Sequence, residues 1–256
     1  MARQQENSGL ASNGGGFNKP PRAPEGSRIY AVGDIHGRAD LLAPLLDRIR
    51  DDAESAAELR KILIYLGDYI DRGADSFAVT ETVISETPKG FETVHLKGNH
   101  EDFLLHFVDD GSLGNSWMIN GGKATLLSYG VDLRGHPFPQ DLAEARRDFL
   151  SMLPRNHLNF YQGLKTSHLE GDYLFVHAGL MPGVPIDDQD EFDLMWIRGK
   201  FLDSGIDFGP MVVHGHSIRP LPEVRGNRIG IDTGAFRTGR LTCLVLENDS
   251  QRFLHT

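Results

Sequence analysis

The sequence predicts an α/β fold in which two mixed β-sheets pack against each other between layers of helices. Two observations support this prediction. The first half of the chain repeats a plan of strand, turn and helix, and the second half consists mainly of short β-rich runs separated by turn residues. Strands that alternate with helices favour a largely parallel sheet, and consecutive short strands favour antiparallel pairing.

Three strand–turn–helix units make up the first half. The strand-like segments are RIYAVGDIHG, KILIYLGDYIDRG and FETVHLKGNHE, and the helical segments that follow them are RADLLAPLLDRIRDDA, ADSFAVTETVISE and DFLLHFVDD. Each strand-like run is apolar and ends at a Gly-Asp or Gly-Asn turn, and the first helical segment carries leucines at helical spacing. These units predict parallel strands connected through helices.

A loop-and-helix stretch from Gly111 to about Leu153 separates the two halves. The β-rich runs after it are GLKTSHLE, DYLFVHAGL, MVVHGHS, NRIGIDTGA and LTCLVLEN. The turn pairs Gly171-Asp172, Gly226-Asn227 and Thr238-Gly239 lie between these runs and suit antiparallel hairpins.

The N-terminal segment differs in composition from the rest. Residues 1–26 are polar and rich in Gly, Ser, Asn and Pro, which predicts a disordered tail before a single catalytic domain at 27–256. The segment lacks the apolar core of a signal peptide, and no apolar run is long enough to cross a bilayer. The lone cysteine, Cys243, excludes an intrachain disulfide. We therefore expect a cytoplasmic protein without a membrane partner.

The charge balance limits the classes of partner. There are 36 acidic and 26 basic residues, giving a formal net charge of -10. Binding nucleic acid without sequence preference requires a basic surface, so we expect no nucleic-acid partner. An anionic substrate would need metal ions to approach inward-facing carboxylates.

Residues that bind metals recur at the carboxyl ends of the predicted strands, where ligands collect in open α/β sheets. An isolated Asp after Gly is usually a turn former or helix cap, and an isolated His is usually structural. Repetition at five strand ends instead predicts one site. Its residues are Asp34, His36, Asp68, Asp71, Arg72, Asn99, His100, His177, His214 and His216.

The mixture of residue types indicates the chemistry. Asp, His and Asn ligands suit Mn, Fe or Zn better than Ca or Mg. A carboxylate that bridges two ions builds a two-metal site, which lowers the pKa of bound water to about 7. A nearby guanidinium can bind two phosphate oxygens at once. The pattern therefore predicts metal-assisted hydrolysis of a phosphate ester.

Five ordered motifs carry a family resemblance. GDIHG (33–37), GDYIDRG (67–73), GNHE (98–101), HAGL (177–180) and GHS (215–217) resemble those of the PPP-type serine/threonine protein phosphatases of the calcineurin-like metallophosphoesterase superfamily. The compact bacterial and phage branch is the most similar. The match covers nearly the whole predicted domain, and it implies the two-sheet fold of that superfamily.

The resemblance implies two divalent metal ions, most simply Mn, with Fe or Zn as alternatives. A hydroxide that bridges them would attack phosphorus in line. The implied ligands are Asp34 and His36 for the first ion, Asp68 for both, and Asn99, His177 and His216 for the second.

The resemblance also implies the remaining catalytic roles. His100 would be the general acid that protonates the departing alkoxide, and Asp71 would accept a hydrogen bond from His100 and orient its ring. Arg72, Asn99 and Arg198 would bind the phosphate; Arg198 lies in the segment MWIRG, which resembles the Trp-x-Arg of the family.

The sequence leaves the roles of some residues open. His214 lies two residues from His216 and would face the same side of a strand, although the motif favours His216. Arg237 is either a third phosphate contact or, as we favour, a solvated turn residue. Trp117 either lines the pocket from the 111–122 loop or packs in the core. Histidines outside the motifs are expected to be structural or surface residues, namely His95, His106, His136, His157, His168 and His255.

Three functions remain in competition. The first is a monoesterase for phosphoserine or phosphothreonine in proteins, and the second is a bis(5′-nucleosyl)-tetraphosphatase or another nucleotide hydrolase with the same site. Glu101 and Asp71 favour the first, because relatives of the second type commonly carry other residues there. The third is an inactive metal-binding scaffold, which the complete set of motifs disfavours. The sequence leaves the physiological substrate and the oligomeric state open.

Overall fold

The computed structural model describes residues 20–133 and 142–256. Within these residues, ten strands form two five-stranded sheets, flanked by helices. The strands are β1 (Ser27–Val32), β2 (Arg60–Tyr65), β3 (Phe91–His95), β4 (Ser167–Glu170), β5 (Tyr173–Val176), β6 (Met211–His214), β7 (Glu223–Val224), β8 (Arg228–Gly230), β9 (Thr242–Glu247) and β10 (Ser250–His255). The helices are α1 (Ala39–Glu54), α2 (Ser76–Ser85), α3 (Asn99–Asp109), α4 (Gly114–Trp117), α5 (Lys123–Ser128), α6 (Leu142–Met152), α7 (Arg155–Gln162), α8 (Glu191–Trp196), α9 (Gly199–Leu202) and α10 (Ala235–Thr238), with a π-helical turn at Met118–Gly122 and a 3₁₀ turn at Ile186–Asp188.

The first sheet has the strand order β10-β9-β1-β2-β3. The three predicted strand–turn–helix units supply its parallel strands β1, β2 and β3, with Ile29 opposite Ile62. Strand β9 pairs antiparallel with β1 and with β10. Both faces of β1 are buried, which explains why residues 29–32 form a continuous apolar run rather than an alternating one.

The second sheet has the order β4-β5-β6-β8-β7, with β5, β6 and β8 parallel and β4 and β7 antiparallel at the two edges. Hairpins at Gly171-Asp172 and Gly226-Asn227 are confirmed. The hairpin predicted at Thr238-Gly239 is wrong, because β8 and β9 belong to different sheets. Gly239 instead ends the short helix α10 in the left-handed conformation that glycine tolerates.

Three apolar clusters arrange the layers. One lies between the sheets and joins residues such as Ile29 and Leu244 of the first to Phe175 and Val213 of the second. Another packs the outer face of the first sheet against α1, α2, α3 and α5–α7. The third packs the outer face of the second sheet against α8 and α9. The predicted fold class, two mixed sheets packed between helices, is confirmed.

The segment 20–26 lies against the folded strands. The backbone amide of Ala23 donates to the carbonyl of Asn248 at 2.8 Å, and the Ala23 side chain is buried between the sheets. The hydroxyl of Tyr173 donates to the carbonyl of Pro21 at 3.1 Å. The predicted tail at 1–26 thus includes residues that contact the folded strands, such as Pro21 and Ala23, and its residues 1–19 lie outside the described part of the chain.

The stretch between the two halves contains helices, as the predicted mixture of loop and helix requires, namely α4, the π-helical turn, α5 and α6. Residues 134–141, which include His136, lie outside the described residues. None of the helices in the described ranges is both long and apolar enough to cross a membrane.

Candidate metal centre

The predicted site residues meet where the carboxyl ends of the parallel strands from both sheets converge. Asp34 and His36 follow β1, Asp68 follows β2, and Asn99 and His100 begin α3 after β3. The second sheet contributes residues after β5 and β6. The buried members of the set are Asp34, His36, Asp68, Asp71, Asn99, His100, His177, His214 and His216.

Backbone strain is concentrated at this site. Of the seven non-glycine residues with positive φ in the described ranges, five belong to the predicted set, namely His36, Asp68, Asp71, Arg72 and His216. Each such conformation costs about 1–3 kcal/mol and persists only where the surroundings enforce it. The backbone conformations that direct these side chains toward one point therefore destabilise the folded chain.

Glu101 fixes the loop that carries Asp68. Its buried carboxylate accepts hydrogen bonds from the backbone amides of Asp68 at 2.8 Å, Tyr69 at 2.9 Å and Gly98 at 2.9 Å. Gly98 must lack a side chain, because a Cβ there would collide with the Asp68 carboxylate. The motif residue Glu101 thus joins the ends of β2 and β3.

Asp68 stands between two groups of histidines. Its Oδ2 lies 3.4 Å from His36 Nε2, and its Oδ1 lies 3.4 Å from His177 Nε2. Two overlapping groups could each hold a metal ion, His36 with Asp68 and His100, and Asp68 with His177 and His216. The ligand atoms within each group lie within 4.8 Å of one another. One carboxylate shared by two groups is the arrangement that a two-metal site requires.

Hydrogen bonds orient the histidine rings for metal binding. His36 Nδ1 lies 2.9 Å from the carbonyl of Ile70, and His177 Nδ1 lies 2.8 Å from the carbonyl of Leu66. A carbonyl can only accept, so each Nδ1 carries the proton and each Nε2 presents a lone pair to the cluster. His216 Nε2 is buried and has no hydrogen-bond partner among the described residues.

The electrostatics of the cluster also fit divalent cations. Burial and the neighbouring carboxylates Asp232 and Asp68 raise the pKa of Asp34 well above its usual range. Burial lowers the pKa of His177 to about 3, so its ring is neutral at pH 7. Bound cations would favour ionised carboxylates and neutral imidazoles, which are their natural ligands. The donor set therefore suits two divalent ions.

His100 and Asp71 form a buried pair beside the cluster. His100 Nδ1 lies 2.6 Å from Asp71 Oδ2. Burial raises the pKa of Asp71 to about 7, opposed by hydrogen bonds from Thr125 and Trp117. Trp117 is itself fully buried, which agrees with the interpretation that it packs in the core. Its indole nitrogen donates a hydrogen bond to Asp71.

The two predicted arginine clamps lie at the edge of the cluster. Arg72 Nη1 is 2.9 Å from His36 Nε2, and the Arg72 guanidinium lies over the ring of Phe236, 4.8 Å from its centroid. Arg198 is exposed and donates to the carbonyl of His216 at 3.1 Å. Both guanidinium groups therefore lie next to histidines of the metal-ligand groups.

Asn99 and His214 have different positions relative to the cluster. Asn99 Oδ1 lies 3.1 Å from His177 Nε2 and so belongs to it. His214 packs edge-on against Phe201 and lies in neither metal-ligand group. The strand β6 ends at His214 and His216 has a φ of 60°, so the alternation that would have placed both histidines on one face does not continue. Arg237 is exposed on α10.

Three residues of the site escaped the sequence analysis. Asp232 is a buried carboxylate whose pKa is raised by burial. It follows β8 in the run NRIGIDTGA, so the rule that ligands collect at strand ends could have identified it. Thr125 and Phe236 carry no comparable signal, because a hydroxyl and a phenyl ring are common in any helix or loop.

Known proteins share both sequence and fold with this chain. The family model for calcineurin-like phosphoesterases matches residues 27–232. A Salmonella typhimurium (strain LT2) protein named serine/threonine-protein phosphatase 2 is 28% identical over 223 residues, 84% of this chain and 90% of that protein. An Anoxybacillus flavithermus protein named bis(5′-nucleosyl)-tetraphosphatase PrpE (asymmetrical) is 26% identical over 230 residues, 83% of this chain and 88% of that protein. A crystal structure described as that of a candidate diadenosine tetraphosphatase superposes with a TM-score of 0.60 at 22% identity, over 91% of this chain and 95% of that chain, and so shares the fold.

Proposed function

The chain belongs to the calcineurin-like phosphoesterase family and is a metal-dependent phosphoric-ester hydrolase, and from this premise we propose that it removes phosphate from phosphoserine and phosphothreonine in proteins. The buried pair His100–Asp71 carries the proposal. The alkoxide that leaves from phosphoserine is strongly basic and needs a proton donor in the transition state. The phosphate oxygen that leaves from a dinucleoside tetraphosphate is far less basic.

We assign two divalent ions, most simply Mn, to the two sides of Asp68, with His36 on one side and His177 and His216 on the other, and we assign His100 to proton donation rather than to metal binding. The support for this assignment is the shared carboxylate and the histidines whose Nε2 atoms face the cluster. When bound, such ions polarise phosphate oxygens and lower the pKa of water. The proposed ligands are Asp34, His36, Asp68, Asn99, His177 and His216.

The side chains around the ions would bind the phosphate and supply the proton. Arg72 and Arg198, with the amide of Asn99, hold the non-bridging oxygens and limit rotation of the phosphoryl group. His100 then donates the proton on its Nε2 to the leaving oxygen. Asp71 accepts a hydrogen bond from the other ring nitrogen, Nδ1, so that Nε2 points toward the substrate.

Hydrolysis of dinucleoside tetraphosphates is the second proposal. It is supported by the similarity to the protein named bis(5′-nucleosyl)-tetraphosphatase, which extends over most of both chains. The two proposals differ in the leaving group, and therefore in how much each reaction needs His100.

One comparison decides between them. With Mn²⁺ bound, we expect the protein to hydrolyse a phosphoserine peptide with a higher kcat/KM than diadenosine tetraphosphate, and we expect His100→Asn to lower kcat on the peptide by at least about 100-fold. A higher kcat/KM on the dinucleotide would support the second proposal. Absence of hydrolysis of both, and of 4-nitrophenyl phosphate, with Mn²⁺, Fe²⁺ or Zn²⁺ would contradict both proposals.

We further propose that residues 27–256 act as one catalytic domain, that the protein works in the cytoplasm, and that its partners are phosphoproteins or small phosphate esters. The cytoplasmic location is supported by the single cysteine, a buried free thiol that needs no oxidising compartment. Fractionation of cells that express the tagged protein tests it.

A further inference from the structure

Trp117 makes a polar contact that the catalytic roles above do not include. Its indole Nε1 donates to Asp71 Oδ2 at 2.7 Å, the same oxygen that lies 2.6 Å from His100 Nδ1. The hydroxyl of Thr125 donates to the other oxygen, Asp71 Oδ1. Both carboxylate oxygens are therefore occupied by donors, and all of these groups are buried.

These contacts restrict the rotation of the Asp71 carboxylate. The terminal torsion of an aspartate is broad, so burial alone does not fix the plane of its carboxylate. An indole can only donate, and it has a single N–H, so the Trp117 contact has one geometry. With Trp117 and Thr125 in place, Oδ2 remains directed at the imidazole of His100.

The surroundings hold Trp117 itself. Its ring packs against Phe107 and Phe149 at centroid distances of 4.9 and 6.1 Å. The backbone of Gly122 lies directly beneath the ring, and a Cβ at Gly122 would come within 2.6 Å of indole carbon atoms. The tryptophan is thus a rigid support that extends from the core to the catalytic pair.

We propose that Trp117 is a positioning residue for proton donation: through Asp71 it fixes the orientation of the His100 ring. The proposal rests on the assignment of His100 as general acid. Among the described residues, the Trp117 side chain hydrogen-bonds to Asp71 and to none of the proposed metal ligands or arginine clamps, so its effect should depend on how much a substrate needs a proton. A purely structural role would lower the turnover of all substrates equally, through the fraction of folded enzyme.

The test compares two substrates that differ in their leaving group. Phenyl phosphate releases a basic phenolate, whereas 4-nitrophenyl phosphate releases a stable one that needs little protonation. For Trp117→Phe with Mn²⁺, we expect kcat on phenyl phosphate to fall about 10- to 100-fold, the range for partners that orient catalytic groups. On 4-nitrophenyl phosphate we expect a fall of less than about threefold, with KM unchanged on both.

The chain offers a matched control. Trp196 is the other tryptophan of the sequence, and its Nε1 is buried without a hydrogen-bond partner among the described residues. Trp196→Phe removes an indole N–H from a side chain that is only partly buried, and it leaves Asp71 untouched, so both substrates should keep wild-type kcat. Equal losses in the two variants, or equal losses on the two substrates, would overturn the proposal.

Thr125 and Asp71 provide independent checks if Trp117→Phe folds poorly. Thr125→Val should reproduce the dependence on the leaving group, and Thr125→Ser, which retains the hydroxyl, should restore kcat. In an Asp71→Asn background, adding Trp117→Phe should lower kcat no further, because both changes act on one contact. If the two substitutions lower kcat independently, so that their effects multiply, the proposal that Trp117 acts through Asp71 is contradicted.

An NMR measurement separates this proposal from the assignment of His100. Two tryptophans give two indole N–H signals, and Trp117→Phe identifies the signal of Trp117. We expect that signal to move in Asp71→Asn and the Trp196 signal to stay, whatever the activity. If the Trp117 signal moves but His100→Asn keeps full turnover on phenyl phosphate, the contact exists and the general-acid assignment fails. If the signal does not move, the positioning proposal fails by itself.

Discussion

At the scale of single residues, the site combines strained backbone with costly buried charge. Asp68 has a φ of 53°, is fully enclosed, and has a pKa raised well above its usual range by burial and by the neighbouring Glu101. Such a group destabilises the folded chain unless a cation compensates for it. Asp68, which is proposed to bridge the two metal ions, therefore destabilises the metal-free protein.

Asp68→Asn should stabilise the metal-free protein and prevent stabilisation by metal. When folding raises the pKa of a carboxyl, the free energy of unfolding of the protein falls as the pH rises. The fall begins near the unfolded pKa of about 4 and ends once the raised pKa is passed. In EDTA, we expect the Tm of the variant to exceed that of the wild type by about 2–4 °C or more at pH 7. The gap should shrink toward pH 4.

Adding Mn²⁺ provides the control for this thermal measurement. We expect the Tm of the wild type to rise and that of Asp68→Asn to stay nearly constant. A gap in EDTA that does not change with pH would show that the charge of Asp68 is not the cause.

Two histidines separated by one residue should behave differently. His216 belongs to a metal-ligand group, and His214 packs against Phe201 instead. We expect His216→Asn to bind one metal ion fewer and to lose at least about 100-fold in kcat/KM, since ligand loss costs more than loss of an orienting partner. His214→Asn should keep two ions and activity within about threefold. Metal analysis of the purified variants, together with turnover of 4-nitrophenyl phosphate, measures both; loss of an ion in His214→Asn would contradict the assignment.

At the scale of elements, the segment from α4 to α5 supports the loop that follows β2. The π-helical turn at Met118–Gly122 carries Gly121, whose carbonyl accepts from the amide of Arg72 at 3.3 Å. Gly121 has a φ of 112°, and a Cβ there would lie 2.8 Å from Arg72 Cγ. A helical insertion that the sequence shows only as a loop-and-helix stretch thus packs against Arg72, the proposed phosphate clamp.

Gly121→Ala should impair phosphate binding beyond its effect on folding. The added methyl group pushes against Arg72, so we expect kcat/KM to fall about tenfold or more, as for other displaced positioning groups. Gly90→Ala is the matched control, because Gly90 also has positive φ, of 82°, but has no atoms within 4 Å of the added Cβ. Both variants should lower the Tm; if activity falls equally in both, Arg72 is not the target. Thermal melts and 4-nitrophenyl phosphate kinetics measure the two effects.

At the scale of the whole molecule, the site exists because two sheets pack face to face and bring the carboxyl ends of their parallel strands together. Asp34, Asp68 and Asn99 follow strands of the first sheet, and His177 and His216 follow strands of the second. The cluster of apolar side chains between the sheets sets the distance between these two groups. Segment 20–26 adds contacts to both sheets, through Asn248 and Asp172.

Two truncations should distinguish the contribution of residues 1–19 to stability from that of residues 20–26. Removing residues 1–19 should leave Tm and kcat/KM unchanged, as the polar composition of this region predicts. Removing residues 1–26 exposes the pocket of Ala23 and breaks the bond from Tyr173 to Pro21, so we expect the Tm to fall by several degrees. Calorimetry of the two truncated proteins measures this, and equal Tm values would show that the contacts of 20–26 contribute nothing to stability.

The sequence by itself determined the fold class and most members of the site, because both follow from local patterns. Apolar runs specify buried strands, and parallel strands place their carboxyl ends at one edge, so Asp34, Asp68 and His177 could be identified before any contact was known. The Gly171-Asp172 hairpin was equally local.

Only the tertiary structure decided which distant side chains meet. It assigned β8 and β9 to different sheets, turned His214 away from His216, and brought Trp117 and Thr125 to Asp71 across 46 and 54 residues. These outcomes depend on long-range packing and on single backbone torsions, such as the φ of 60° at His216, which no local pattern of residue types specifies.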